Sequence, residues 1–215
     1  MGSEKQKQGL KIVKKKWLPI RASKFFDSEM LGECYVTGPE QLIGRTVSAN
    51  LANLTGDVRQ QSVTLRFIVR SLEAEGGVAD VVGYEMASSA IRRIVRRGSD
   101  RIDESFLCET SDGSKVRIKP MLITKAVTNG AVHQALRKAL ISNVATQLKK
   151  YSFNELINEI ITSKFQTAVK SDLKTIYPLK AVELTSLWLL HGAETGQASS
   201  DDGAVNAAKE AEVQQ

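Results

Sequence analysis

The chain has 215 residues, 42% of them hydrophobic and 25% charged, which suits one domain with a sizeable core and excludes a fully disordered chain. Its two cysteines, Cys34 and Cys108, form no CxxC pair, which excludes a disulfide-dense scaffold and a cysteine-rich zinc centre. With no apolar run near the roughly 20 residues that cross a bilayer, and only Trp17 to Ile20 between the leading lysines and Arg21, the expectation is a cytoplasmic protein without membrane contact.

The net charge of +6 is unevenly spread. Met1 to Phe25 carries +7, Glu194 to Gln215 carries −4, and the middle is close to neutral. Residues 1–16 therefore read as a basic arm that meets a polyanion, with Lys11, Lys14, Lys15 and Lys16 followed by Trp17, Arg21 and Lys24. A solvated leader is the plain alternative. Residues 17–190 read as a single domain, strand-rich over 17–127 and helix-rich over 128–190. Residues 191–215, small and acidic with no aromatic side chain, read as a flexible tail.

In chain order, 45–51 predicts a strand, and Val63, Leu65, Phe67 and Val69 alternate with polar residues as a half-buried strand does. Gly76-Gly77 punctuates a turn before a strand at 78–84. Ser89 to Arg97 reads as a helix capped by Ser88 or Ser89. At about 100° per residue it gathers Arg92, Arg93, Arg96 and Arg97 on one face, opposite Ile91, Ile94 and Val95. Guanidinium groups so placed repel one another unless phosphate oxygens engage them, so this face reads as a phosphate-binding surface, with a solvated face screened by salt as the plain alternative. Ser111-Asp112-Gly113 predicts a hairpin joining 102–110 to 114–124. On its second arm Lys115, Arg117 and Lys119 point away from Val116 and Ile118, and Arg101 adds charge nearby.

Residues 129–150 predict a long amphipathic helix, with Val132, Ala135, Leu136, Ala139, Leu140, Val144 and Leu148 recurring at three and four on its apolar side. Ser152 and Glu155 fit a capping box ahead of a short helix ending near Ile161. A further helix spans 164–176, ended by Pro178, and 179–190 returns to a strand pattern. Strands followed by helices predict an α+β fold, a central antiparallel β-barrel flanked by C-terminal helices.

Catalytic signals are poor. Neither His133 nor His191 has a metal partner at recognised spacing, and no nucleophile elbow, HExxH or phosphate loop occurs. Asp100, Asp103 and Glu104 beside Arg97 and Arg101 read as salt-bridging as readily as acid–base machinery. No enzyme, cofactor or metal is expected. The basic surfaces carry few aromatic groups, which favours backbone and shape readout of a folded RNA. A free-standing nucleic-acid-binding regulator or chromatin protein is the alternative.

An ordered set of motifs carries a resemblance. Lys15-Lys16-Trp17, Ile43-Gly44-Arg45, Leu54-Thr55-Gly56-Asp57 and Val95-Arg96-Arg97 with 99–103 come first. Ser111-Asp112-Gly113 with Val116-Arg117-Ile118-Lys119, then Ile176-Tyr177-Pro178-Leu179, complete it. The set resembles the archaeal and eukaryotic small-subunit ribosomal protein family known as S-three-A-e, or eS-one. The resemblance implies a structural constituent of the small ribosomal subunit on its platform, near the messenger exit and the 3′ end of the ribosomal RNA. Implied partners are that RNA and neighbouring platform proteins, with messenger RNA and initiation machinery nearby.

Overall fold

A computed structural model describes residues 14–73 and 76–190. The chain order is β1 (Lys16–Ala22), β2 (Met30–Val36), β3 (Thr46–Asn50), α1 (Leu51–Thr55), β4 (Val63–Glu73), β5 (Gly76–Met86), α2 (Ser88–Ile94), β6 (Arg101–Asp103), β7 (Phe106–Glu109), β8 (Lys115–Thr124), α3 (Gly130–Leu148), α4 (Phe153–Ile161), α5 (Lys164–Leu173) and β9 (Leu179–Leu189).

The nine strands form one branched sheet. β5 lies at its centre. β4 pairs antiparallel along one whole edge of β5, while the other edge is shared end to end. There β1 runs parallel at Gly77–Ala79, and β9 runs antiparallel at Gly83–Glu85. β8 continues outward from β9, and β6 and β7 share its far edge as one interrupted strand.

This corrects the expected closed antiparallel barrel. The sheet is mixed, because β1 is parallel to β5, and it does not close. Its branches end at β2, at β3 and at β6 with β7, and β2 and β3 approach one another without pairing. The chain between them begins with a 3-10 turn at Pro39–Leu42 that sets up no ladder, and contact across the gap is by side chain, Arg45 Nη1 lying 2.9 Å from Cys34 Sγ. The helices are not a C-terminal flank either. α1 and α2 interrupt the strands, α3 to α5 form a long connection between the antiparallel neighbours β8 and β9, and β9 lies in the middle of the sheet between β5 and β8. The basic arm's first 13 residues, with Lys11, lie outside the described residues, as does the acidic tail 191–215; Lys16 already belongs to β1.

The apolar pattern explains the layers. Val63, Leu65, Phe67 and Val69 of β4 are buried, while Arg66 and Arg70 point away from the core. On β8, Val116 and Ile118 are fully buried between exposed Lys115, Arg117 and Lys119. Beyond a register shift at Lys119/Pro120, the strand is buried through Thr124. Leu136, Leu140, Val144 and Leu148 of α3 repeat at every fourth residue as a narrow buried stripe, and join the sheet residues in one core. Each such leucine stabilises the fold by about 1.5–3 kcal/mol relative to exposure.

Local signals hold at two junctions. Ser152 Oγ accepts from Glu155 N while a Glu155 carboxylate oxygen accepts from Ser152 N, the expected capping box. At Asp112-Gly113 the glycine has φ +70° and its N–H closes the turn onto Thr110 O. Asp112 adds a bond from Phe153 N, which fastens the hairpin to the start of α4.

Candidate nucleic-acid interface

The basic residues read from the sequence fall into three neighbourhoods. The first is the β1–β2 hairpin, where Trp17 and Tyr35 are register partners. Their ring centroids are 5.0 Å apart, and Lys15 Nζ lies 5.7 Å from the Tyr35 centroid. Trp17 is 64% exposed, so this tryptophan is a surface platform rather than a core residue. Lys14, Lys15, Lys16 and Arg21 are exposed around it. Lys24 lies in the 3-10 turn after β1. Beside it Phe26 is buried, meeting Phe67 edge-on, whereas Phe25 is 40% exposed.

The second neighbourhood is α2 and the segment after it. The expected nine-residue helix is shorter than the sequence pattern indicates. Its N-cap is Ala87, with no side-chain cap from Ser88 or Ser89, and it ends at Ile94. Val95 is extended (φ −76°, ψ 116°), and Gly98 at φ +82° turns the chain back toward β6. Arg92 and Arg93 therefore leave from the helix while Arg96 and Arg97 leave from the following loop. The four are exposed, and among the described residues no carboxylate lies within 4.0 Å of any of them.

Asp100 anchors this loop. Its Oδ2 accepts from Thr128 N (2.6 Å) and Thr128 Oγ1 (2.9 Å) and lies 3.0 Å from His133 Nε2. Its backbone N–H donates to Thr124 Oγ1 on β8. His133 and then Thr128, by hydrogen bonding to the charged form, hold the Asp100 carboxyl below the usual carboxylate range. The acidic cluster is thus taken up by structure. Asp103 pairs with Arg101 at 2.6 Å, and Glu104 pairs with Arg137. Arg101 is consequently compensated, unlike the four arginines before it. Among the described residues no group of three His, Cys, Asp or Glu could hold a metal ion.

The third neighbourhood lies on the face of the sheet turned away from the core. Arg117 on β8 is the register partner of Trp188 on β9, which pairs with Gly83 on β5, which pairs with Arg66 on β4. Paired residues project to one side of a sheet, so these positions form a row across four strands. Trp188 reaches over Gly83, and the Arg66 guanidinium sits over the indole, 4.9 Å from its centroid. Such a cation–π contact contributes about 0.5–1 kcal/mol when exposed. Glu85 Oε2 lies 3.3 Å from Arg66 Nη2 and fixes the guanidinium from a second direction. Beside the row a groove of about 550 Å³ runs between Thr64, Glu85, Ser88, Lys119 and Trp188. Lys115, Arg117 and Lys119 are exposed along β8, with no carboxylate within 4.0 Å among the described residues.

Sequence reading finds the β8 half of this row and misses the other half. Arg66 has a plain signal, a cation at an outward position of an alternating strand. Trp188 and Gly83 have none, because their meaning comes from a pairing between residues 105 positions apart in the chain.

The arrangement suits electrostatic capture of a polyanion. Exposed guanidinium and ammonium groups sit on rigid elements beside two aromatic side chains. Among those same residues, no helix is long and apolar enough to cross a membrane.

Comparison with known proteins is consistent across the chain. A model of the ribosomal S3Ae family matches residues 3–191. The chain is 29% identical over 198 residues to the small ribosomal subunit protein eS1 of Haloquadratum walsbyi, covering 92% of each chain. It is 30% identical over 170 residues to the protein of the same name from Methanothermobacter thermautotrophicus, covering 79% of this chain and 87% of that one. The eS1 protein of Desulfurococcus amylolyticus is 30% identical over 176 residues, 82% of this chain and 83% of its own.

Proposed function

Because the chain belongs to the ribosomal S3Ae family, we propose that it is a structural constituent of the small ribosomal subunit that binds ribosomal RNA and catalyses no reaction. The finer placement is the platform, near the messenger exit and the 3′ end of the ribosomal RNA. Neighbouring platform proteins would share its borders, with messenger RNA and the initiation machinery close by, in the cytoplasm.

The observation that carries this reading is the set of uncompensated cations on rigid elements. Arg92, Arg93, Arg96 and Arg97 surround the end of α2, and Lys115, Arg117 and Lys119 line β8, with carboxylates absent from their reach among the described residues. A charge left unpaired on a folded surface carries a repulsion that phosphate oxygens relieve. Phosphate contact releases condensed counterions, which drives binding without reading sequence. Lys14 to Lys16 with Trp17 and Arg21 extend the surface over the β1–β2 hairpin, and Lys11 and Lys24 add charge to the same end of the chain. Arg101 contributes less, being held by Asp103.

The test is gradient fractionation of ribosomes with identification of the chain by mass spectrometry. Co-sedimentation with small subunits, released progressively by high salt, is the expected result. A chain found only in the free pool overturns the proposal. A free-standing regulator would instead bind duplex DNA and ribosomal RNA with equal affinity.

A further inference from the structure

We infer that the groove beside Arg66 and Trp188 holds one unpaired nucleotide of the bound RNA, its base stacked on the outer side of the Arg66 guanidinium. The inference rests on the ribosomal reading and narrows it from a charged surface to a defined site.

The first support is order. Side chains on an exposed sheet face ordinarily sample many rotamers, and an arginine loses much of that freedom when it binds. Here that freedom is already restricted. Gly83 leaves room for the Trp188 ring, the ring supports the guanidinium from beneath, and Glu85 holds its edge at 3.3 Å. A layered stack of backbone, indole and guanidinium ends in a planar cation that still presents half its surface, Arg66 being 50% exposed. Bases turned out of an RNA strand stack on such planes.

Second, the groove has the chemistry of a base edge. Thr64, Ser88 and Ser186 supply hydroxyl groups, and Glu85 supplies a carboxylate. A carboxylate accepts from the amino and imino groups of guanine or the amino group of cytosine and repels an edge made of acceptors. Lys119 stands at the rim as the register partner of Ser186, placed to take the phosphate of the same nucleotide.

Third, the shape selects among RNA elements. The volume of about 550 Å³ is that of a small-ligand site. α2 closes one side through Ser88 and Ile91, so a duplex rides over the rim while a single extruded base reaches the floor. An anchoring side chain from a protein would favour an apolar pocket, whereas eight of the twelve residues lining this groove carry a hydroxyl or a charge, beside Met86, Ala87, Ile91 and Trp188.

The experiment measures equilibrium binding of the full chain to a uridine-rich single-stranded RNA with one central guanine, and to the same strand with an abasic ribose in that place. The wild-type protein prefers the intact strand by about five- to a hundred-fold, the range that base stacking supplies. Arg66→Lys keeps the charge and removes the plane, so it abolishes that preference while leaving the salt dependence of binding as it was. Wild-type preference retained by Arg66→Lys overturns the inference. Ultraviolet cross-linking of intact small subunits containing the unaltered chain gives a second reading. Nucleotide adducts on the peptides holding Arg66 or Trp188 support the site, and adducts from them to another protein overturn it. A chain that sediments with small subunits yet shows neither base preference nor nucleotide adducts loses the groove and keeps the ribosomal assignment. A chain absent from the subunits overturns both.

Discussion

Trp188 on β9 lies across Gly83 on β5 so closely that a β-carbon at Gly83 would stand 2.8 Å from the indole Cε3 and Cζ3 atoms. The glycine is therefore a spatial requirement of the outer sheet face. Its partner residues, Arg66 on one side and Trp188 on the other, meet only because it has no side chain.

Gly83→Ala forces the ring out of that position. A core would lose about 1–3 kcal/mol to such overpacking. On this outer face the ring can swing toward solvent and alanine regains about 0.5–1 kcal/mol over glycine in a strand, so the expected net loss is at most about 1 kcal/mol. Chemical denaturation gives the cost, and acrylamide quenching reports the displaced indole. Unchanged stability and quenching would contradict the stacked arrangement.

Asp100 predicts an acid-side effect. Its carboxyl lies below the usual range because His133 and Thr128 bond to the charged form. Its contribution is complete above the unfolded-state value and disappears as pH falls through the lower folded value. Asp100→Asn should therefore lower the melting temperature at neutral pH, with the gap to wild type closing in strong acid. A gap constant across pH would show that the side chain matters only for packing.

Glu183 predicts the opposite sign. Burial pushes its carboxyl up, against the smaller pull of Lys170. Holding the charged form in the fold is then a penalty, absent below the unfolded-state value and complete above the folded one. Glu183→Gln should raise the melting temperature at neutral pH and leave it unchanged at low pH. A neutral-pH loss would mean that the attraction of the Lys170 charge outweighs burial.

Elements whose signal is local are legible in the sequence. Apolar residues recurring at three and four place α3, although Ala135 of that set is exposed, Ser152 with Glu155 places the start of α4, and Asp112-Gly113 places the hairpin between β7 and β8. β1 and β2 carry no such signal, because Pro19 and Gly32 break their alternation and Lys14 to Lys16 crowd the start of the first. At α2 the pattern overstates the helix. Its arginines continue the helical spacing, but Val95 leaves helical geometry ahead of the turn at Gly98. The barrel expectation fails at strand order, since no local pattern specifies that β1 pairs parallel with β5 or that β9 returns between β5 and β8. The site divides in the same way. The exposed cations on β8 follow from alternation, whereas the Arg66–Trp188 stack depends on register between distant strands.

Phosphate neutralisation by the arginines around α2 is read out by the salt dependence of binding to small-subunit ribosomal RNA, compared between the wild type and the variant with Arg92, Arg93, Arg96 and Arg97 all replaced by alanine. Every phosphate that the variant no longer neutralises should flatten the slope of log affinity against log salt by about 0.7–0.9. A flatter slope with unchanged melting temperature is the predicted result. An identical slope would show that these uncompensated cations face solvent and not RNA.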